Sequence, residues 1–297
     1  MLIWGVHVHV GVDRVDRAVP LMNALLAYLP HLLALSASSP LWAGEATGYA
    51  SNRTLMFQQL PTAGLPWPAD EWEDVERVIE DLAKTGIIAE PTEARWDIRP
   101  APRWGTLEVR ACDGASTLAE IGSLAALTQC LAEHFQRMAD RGEPLPCLQP
   151  WFVRENKWRA ARYGLDATII VDAEGKQAPL RDELAILIAT LTPIAAELGC
   201  AAELAGVSKV LTDGTSAERQ LTVFESHGGS APGGAPPAAG SSAGKLGTHT
   251  SLEAVLPMKA VLQVWGGAAS ELATVSMLIT TYSPGCRSPR LTEKRLP

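Results

Sequence analysis

Residues 5–11 read Gly-Val-His-Val-His-Val-Gly, and the same alternation of side chains over residues 2–12 predicts a β-strand. Successive side chains of a strand point to opposite faces, so His7 and His9 share one face and the valines share the other. Two imidazoles side by side suit a divalent metal ion or a phosphate group. A plainer interpretation is also open, in which both histidines are exposed or hydrogen-bonded on a half-buried strand.

A second alternating segment lies at residues 105–113, Gly-Thr-Leu-Glu-Val-Arg-Ala-Cys-Asp. Here Glu108 and Arg110 share a face, opposite Leu107 and Val109. Glutamate is an oxygen ligand of the kind Mg²⁺ prefers. Arginine is the preferred bidentate partner of carboxylate and phosphate groups. The alternative is a cross-strand ion pair on a solvated sheet face, which would contribute little to stability.

A third segment, Trp-Asp-Ile-Arg-Pro at residues 96–100, places Asp97 and Arg99 on one face of a strand predicted over residues 95–99. If the three strands form one antiparallel sheet, its polar face carries two histidines, two arginines, a glutamate and an aspartate. Phosphates need cations, and the cations need carboxylates. The combination therefore indicates the floor of a site for a metal ion and a nucleotide.

Two further basic features are candidates for binding an anion. Arg53 lies in a loop-like segment, residues 36–66, that is rich in Ser, Gly and Pro, where it is either a clamp for an anionic substrate or a surface side chain. The segment 154–162 contains Asn156 and four basic residues, one of which is Arg159. Its alternatives are a solvated helix face and a face turned toward phosphate or substrate.

Helices are expected around these strands, which gives an α+β class. Each of the following is indicated by residues typical of helix ends: a buried helix with Pro20 in its first turn, a helix capped by Asp70 with Glu73 and ended by Gly86, a helix starting at the Thr117–Glu120 capping box, and helices over 180–198 and 201–211. Residues 20–35 are strongly apolar, but Asn23, Pro30 and His31 interrupt them. They are interpreted as a buried helix and not as a membrane span.

Composition excludes several classes of protein. The 297 residues are 47% hydrophobic, enough for a large core, and the length allows one or two domains. The net charge of −8 argues against a nucleic-acid binder. Five cysteines, with no two close in sequence, indicate buried free thiols in a reducing compartment, and no signal peptide is recognised. We expect a soluble cytoplasmic protein without membrane or nucleic-acid partners.

The composition changes near the end of the chain. Residues 228–244 contain only Gly, Ser, Ala and Pro, so burial cannot offset the entropy of ordering them. The predicted organisation is one domain that carries the motifs above, over residues 1–225, a disordered linker over residues 226–250 and a tail of uncertain fold over residues 251–297.

Taken together, the motifs resemble one known family. Its members, the bacterial glutamate–cysteine ligases of type 2, are also called carboxylate–amine ligases and belong to the glutamine synthetase superfamily. The resemblance covers residues 2–225. It rests on these motifs in this order: GVHVHVGV (5–12), LSASSP (35–40), Gly48-x-x-Ser51-x-Arg53, WDIRP (96–100), GTLEVRACD (105–113) and RENKWRAARYGLDA (154–167).

The resemblance implies a fold and a reaction. The fold is a glutamine-synthetase-like curved antiparallel β-sheet backed by helices, which holds ATP and Mg²⁺ or Mn²⁺. ATP phosphorylates a carboxylate, typically the γ-carboxylate of glutamate. The amine of a second amino acid, such as cysteine, then displaces phosphate, as in glutathione biosynthesis. A homo-oligomer is expected by the same analogy.

The resemblance also implies roles for individual residues. His7 and Glu108 match metal ligands, and His9 matches the histidine near the nucleotide phosphates. Arg110 matches the arginine at the transferred phosphoryl group, and Arg53 matches the loop arginine that holds the amino-acid substrate. A further set lies in family motifs and is expected to contribute to nucleotide binding: Arg99, Asn156 and Arg159.

Two departures from the family pattern leave alternatives open. The family normally begins with a further segment whose first strand carries a Gly-x-Glu-x-Glu motif, and this sequence begins just ahead of the HxH strand, so we expect an incomplete domain. One alternative is therefore a non-catalytic or weakly active remnant of the family. A remote one is an amidohydrolase-type metal-dependent hydrolase, which also starts with HxH on a strand. From about Phe224 onward, the sequence no longer resembles the family.

Overall fold

The computed structural model describes residues 3–229, 263–264 and 274–281. The strands in these residues are β1 (Ile3–Gly11), β2 (Leu41–Trp42), β3 (Glu45–Ala46), β4 (Ile98–Ala101), β5 (Thr106–Asp113), β6 (Thr168–Ile170), β7 (Gln177–Pro179), β8 (Gln263–Val264) and β9 (Thr274–Thr281). The α-helices are α1 (Ala18–Ala27), α2 (Leu29–Ser36), α3 (Asn52–Phe57), α4 (Trp72–Lys84), α5 (Leu118–Asp140), α6 (Pro150–Tyr163), α7 (Leu180–Leu198), α8 (Ala201–Asp213) and α9 (Ser216–Ser226).

One five-stranded sheet carries the three predicted strands side by side, in the order β4-β5-β1-β9-β8. The pairs β4–β5 and β5–β1 are antiparallel, as predicted. Strands β9 and β8 are also antiparallel, whereas β1 and β9 are parallel. The α+β class is confirmed. Strand β4, predicted over residues 95–99, begins at Ile98, three residues later than predicted. Most of the predicted linker lies outside the described residues, and only β8 and β9 are described within the predicted tail.

A β-bulge interrupts the pairing of β1 with β5. Val8 pairs with Val109 and Val6 pairs with Cys112, so Arg110 and Ala111 together lie opposite His7. An extra residue of this kind reverses which face the following side chains point to. The consequence is that Asp113, five residues after Glu108, faces the same side of the sheet as Glu108.

The opposite face of the sheet is the hydrophobic core. It carries Val6, Val8, Val10, Leu107 and Val109, each no more than 2% exposed. Helices α1, α2 and α5 pack against this face and contribute a set of fully buried side chains, which includes Met22, Leu25, Leu32, Leu127 and Leu131. Removal of this apolar area from water stabilises the sheet and fixes which face remains for chemistry.

The predicted buried helix over residues 20–35 is two helices. Pro20 lies in the first turn of α1, as expected, and Pro30 lies in the first turn of α2. No single helix in the described residues is long and apolar enough to cross a membrane. One pair, Val15–Ala27 with Leu29–Ser36, meets the criteria of length and composition only when taken together across its 55° bend.

The other helix boundaries were predicted with mixed success. The Thr117–Glu120 capping box is confirmed at the start of α5, and α7 ends at Gly199, which has a φ of +72°. Helix α4 is present, but the prediction that Asp70 caps it is wrong. Its capping box is formed by Glu71 and Asp74, because the chain enters the helix one residue later. The predicted loop over residues 36–66 contains the β2–β3 hairpin and helix α3.

Candidate active site

Glu108 is the centre of a buried cluster of polar side chains on one face of the sheet. Its Oε2 accepts a hydrogen bond from Arg99 Nη2 at 2.5 Å, and its Oε1 accepts one from Arg110 Nη1 at 2.5 Å. The same Oε1 lies 2.9 Å from His7 Nδ1 and 3.6 Å from His9 Nε2. We call these five residues the Glu108 cluster. The sequence predicted that all five share one face, and the structure places them in contact.

Strand register explains why these side chains meet. Glu108 of β5 lies directly between Arg99 of β4 and His9 of β1, which are its cross-strand partners. Directly opposed side chains on antiparallel strands lie close enough to interact. At the edge of the cluster, His9 Nδ1 lies 2.8 Å from the Thr106 hydroxyl, which fixes the orientation of the ring.

The charges of the cluster are strongly coupled. Burial alone would raise the pKa of the Glu108 carboxyl group, but the contacts with His7 and His9 and the charge of Arg110 hold it well below its usual range. Burial and the positive charge of Arg110 lower the pKa of His7 from 6.5 to about 3. At neutral pH, therefore, a carboxylate and a neutral imidazole lie between guanidinium groups.

Arg53, at the start of α3, reaches the same face of the sheet. Its guanidinium donates to the backbone carbonyls of Arg110 at 3.3 Å and Ala111 at 3.2 Å. Gly5 makes room for it, because a Cβ atom there would lie 2.3 Å from Arg53 Nη2. Arg53 is only 6% exposed. The loop arginine singled out in the sequence is thus next to the Glu108 cluster.

Asp113 fastens the Arg53 loop to the sheet. Its Oδ2 accepts hydrogen bonds from the Ser38 backbone N–H at 3.0 Å and the Ser39 hydroxyl at 2.7 Å, and its Oδ1 accepts one from Ser51 at 2.7 Å. Arg53 Nη1 lies 3.8 Å from Oδ1. The motifs LSASSP and Gly-x-x-Ser-x-Arg, apart in sequence, are therefore joined by one carboxyl group.

Two arginine nitrogens at the site have no hydrogen-bond partner among the described residues. They are Arg53 Nε and Arg110 Nε, and both are buried. A buried N–H group without a partner costs free energy, and native proteins contain few of them. An anionic ligand near these two side chains would supply the missing acceptors.

Next to the cluster, Asp97 forms a buried ion pair with Lys157 of α6, with Nζ and Oδ2 2.6 Å apart. Asp97 also accepts a backbone hydrogen bond from Arg110 N at 2.7 Å. The Asp97 carboxylate, which the sequence predicted to lie on the polar face, is thus paired with a lysine of helix α6. Lys157 also lines a cavity of about 1160 Å³ between α1, α3, α6 and residues 63–70, with Trp67 and Trp158 in its wall.

The remaining predicted site residues lie elsewhere. Asn156 is fully buried, and its amide group bonds both the N–H and the carbonyl of Ile170, as a neighbouring strand would. Arg159 bonds Glu155, the Thr168 carbonyl and Gln177, which fastens α6 to the β6–β7 hairpin. Neither residue hydrogen-bonds to the Glu108 cluster within the described part of the chain. Their role in nucleotide binding stays a prediction.

Asp113 and Lys157 are the residues that sequence reasoning did not single out. Asp113 ends the motif at residues 105–113, and Lys157 lies in the motif at residues 154–167, but alternation of side chains alone gives no reason to choose either. The face of Asp113 depends on the bulge, and the partner of Lys157 is 60 residues away.

The described residues offer few ligands for a metal ion. No group of three or more His, Cys, Asp and Glu side chains in this part of the chain is arranged to hold one. His7 and Glu108 supply an imidazole nitrogen and a carboxylate oxygen at 2.9 Å from each other. That donor set suits a divalent ion whose remaining ligands come from phosphate oxygens or water.

Comparison with known proteins places this site in a family. Residues 1–234 match the family model described as glutamate-cysteine ligase family 2. Three relatives bear the name "Putative glutamate--cysteine ligase 2". The one from Leifsonia xyli subsp. xyli is 59% identical over 230 residues, and those from Clavibacter michiganensis subsp. michiganensis and Mycobacterium tuberculosis are each 58% identical over 229 residues.

The matched regions differ in how much of each protein they represent. They cover 77% of this chain but only 60% to 61% of the three relatives. The chain thus spans about 60% of the length of the curated relatives that it matches. The matches give no support to a metal-dependent hydrolase.

Proposed function

The chain belongs to glutamate-cysteine ligase family 2, and we propose that it is an ATP-dependent ligase. The bond it forms is an amide between the γ-carboxylate of glutamate and an amine such as that of cysteine. In the first step, the carboxylate attacks the γ-phosphorus of ATP, giving an acyl phosphate and ADP. In the second, the amine nitrogen attacks the acyl carbon, the bond from this carbon to phosphate breaks, and the nitrogen loses a proton.

The observation that carries the proposal is the convergence of Arg99, Arg110 and Arg53 on one buried sheet face. Phosphoryl transfer between two anions requires positive charge placed in advance around the transferred group. Arg110 and Arg53 each retain a buried nitrogen without a partner among the described residues. We assign Arg110 to the transferred phosphoryl group and Arg53 to the carboxylate substrate.

Glu108 keeps these guanidinium groups in place before a ligand binds. A buried cluster of arginines without a counter-charge would be strongly unfavourable. Its carboxylate stays ionised over the physiological pH range, because its pKa is held low. Anionic substrate oxygens can then share the arginines with Glu108.

The imidazole of His7 and the carboxylate of Glu108 suit a divalent metal ion. His7, neutral at pH 7, and Glu108 would hold Mg²⁺ or Mn²⁺, with His9 close to the phosphates. When bound, the ion neutralises charge on the phosphate oxygens. The curved glutamine-synthetase-like sheet and the nucleotide roles of Asn156 and Arg159 belong to the same proposal.

Phosphate release from ATP tests the proposal. The assay contains the purified chain, Mg²⁺, glutamate and cysteine, and each component is omitted in turn. We expect release to require glutamate and to be accelerated by the amine. Glu108→Gln should reduce turnover by about 100-fold or more, since it removes the charge that organises the arginines.

A matched control uses a glutamate outside the site. Glu80 is exposed on α4 and pairs with Lys84, so Glu80→Gln should leave turnover unchanged. Turnover that survives Glu108→Gln would contradict the site assignment. Absence of turnover with every combination of substrates would instead support the non-catalytic or weakly active remnant.

A further inference from the structure

Two cysteine side chains are in contact deep in the helical layer. Cys130 lies in the middle of α5, and Cys200 lies in the turn between α7 and α8. Their sulfur atoms are 3.6 Å apart, although 70 residues separate them in sequence. Both are fully buried as free thiols. The prediction of buried free thiols is confirmed for this pair and for Cys112 and is wrong for Cys147, which is exposed. Nothing in the spacing of the cysteines indicated that two of them touch.

The backbone around this pair is well anchored. Cys200 N–H donates to the Ala195 carbonyl at 2.9 Å, and the Cys200 carbonyl accepts from Leu204 N–H at 2.9 Å. Gly199, with a φ of +72°, makes the turn that brings Cys200 up to α5. A disulfide bond is about 2.0 Å long, so the two sulfur atoms must approach by about 1.6 Å from their separation of 3.6 Å.

The two thiols differ in reactivity. Cys200 is the N-cap residue of α8, where the helix dipole favours a negative charge. The hydrogen bond from Cys130 lowers the pKa of the Cys200 thiol, and the same contact together with burial raises the pKa of Cys130. Its position at the N-terminus of α8 therefore makes Cys200 the sulfur that reacts first with an oxidant.

We propose that Cys130 and Cys200 form a disulfide bond when the folded chain meets hydrogen peroxide. The Cys200 thiolate attacks one peroxide oxygen, which gives a sulfenic acid and releases hydroxide, which takes up a proton to become water. The Cys130 sulfur then attacks the Cys200 sulfur, its proton leaves with the sulfenic oxygen, and a second water forms. Two thiols and one peroxide thus become one disulfide and two waters.

The bond would join α5, which packs on β1, to the α7–α8 turn. It closes a long loop in the unfolded chain and so favours the folded state. None of the residues of the Glu108 cluster takes part. The inference is therefore independent of the proposed ligase reaction.

Peptide mapping of the oxidised chain is the test. The variant Cys147→Ser/Cys286→Ser removes one exposed thiol and one outside the described residues, and it leaves the buried pair intact. After peroxide treatment of the folded protein, remaining thiols are alkylated in denaturant. We expect a linked Cys130–Cys200 peptide and a mass loss of about 2 Da, because each disulfide formed releases two hydrogens. The melting temperature should rise, and dithiothreitol should reverse the rise.

Cys112 provides the internal control, since it is fully buried and has no cysteine neighbour among the described residues. It should be recovered as the alkylated thiol. The peroxide dose is one that links or oxidises Cys130 and Cys200 in the unfolded chain. If the folded chain treated at that dose still yields both cysteines as separate alkylated peptides, the proposal is overturned. A rise in melting temperature that persists in Cys200→Ser would overturn it as well.

Discussion

Glu108 and Asp113 are two buried carboxylates on one strand that face the same side of the sheet, yet different groups stabilise them. Glu108 is held by arginine side chains, with histidines beside it. Asp113 is held mainly by two serine hydroxyls and a backbone N–H, with Arg53 farther away at 3.8 Å. The pKa of Glu108 lies below its usual value. Burial raises that of Asp113, although Arg53 and the hydrogen bonds oppose this rise.

The difference separates a group that a ligand can rearrange from one that holds the fold. Arginine side chains are long and can exchange one anion for another. Short serine side chains and a backbone N–H hold Asp113 in a single geometry, which positions the loop that carries Arg53. Glu108 is therefore assigned to chemistry and Asp113 to architecture, and the comparison can be tested at each residue.

The largest effect on stability is expected for Asp113→Ala. The change leaves two serine hydroxyls and an N–H group without their acceptor, and it removes the carboxylate that lies 3.8 Å from Arg53 Nη1. Loss of one partner from a buried network typically costs about 3–5 kcal/mol. Urea denaturation followed by circular dichroism measures the change in unfolding free energy. The control is Asp166, which is exposed and pairs with Arg181. Asp166→Ala should lower the unfolding free energy by no more than about 0.5 kcal/mol. Equal losses in both variants would remove the distinction between the two carboxylates.

A smaller effect is expected for Ser51→Ala. The Ser51 hydroxyl donates to Asp113 and also accepts the Thr54 N–H at the N-terminus of α3. Removing a helix cap and one hydrogen bond to a buried carboxyl group costs about 2 kcal/mol in total. Thr222→Ala, which removes an exposed hydroxyl from α9, is the matched control for the same denaturation experiment. If the urea midpoint of Ser51→Ala equals that of the wild-type chain, the hydrogen bond from this serine does not contribute to holding Asp113.

The smallest effect is a difference in acid sensitivity. The folded pKa of Glu108 is below its ordinary value of 4.5, so its contribution to stability is present above pH 4.5 and is lost as the pH falls below it. Asp113 has the opposite sign, because its folded pKa is above the ordinary value of 3.8. Between pH 4.5 and pH 3, the wild-type chain should therefore lose stability more steeply than Glu108→Gln. The difference is at most about 1.4 kcal/mol per pH unit.

Melting temperatures measured with EDTA over this pH range provide the test. Asp113→Asn should keep a slope at least as steep as that of the wild-type chain, since it removes the opposing contribution. A shallower slope in Asp113→Asn than in Glu108→Gln would reverse the assignment of the two carboxylates.

Much of the candidate site was predictable, because it follows from local alternation. His7, His9, Glu108 and Arg110 lie on the predicted face, and Arg99 joins them through strand register. The prediction of the α4 cap failed, since neighbouring acidic residues can all cap a helix and only the path of the chain selects one. Asn156 and Arg159 were grouped with the site because of their motif, whereas their partners lie in the β6–β7 hairpin.

The sequence by itself determined the shared face of the five residues of the Glu108 cluster, since the side-chain period of a regular strand depends only on neighbours along the chain. It also determined the resemblance to the ligase family, which the family match confirms. Only the tertiary structure decided which distant groups meet: the bulge that turns Asp113 toward the Arg53 loop, the Asp97–Lys157 pair and the contact of Cys130 with Cys200. These contacts join residues 60 to 75 positions apart, where packing of whole elements, and not local pattern, sets the distance.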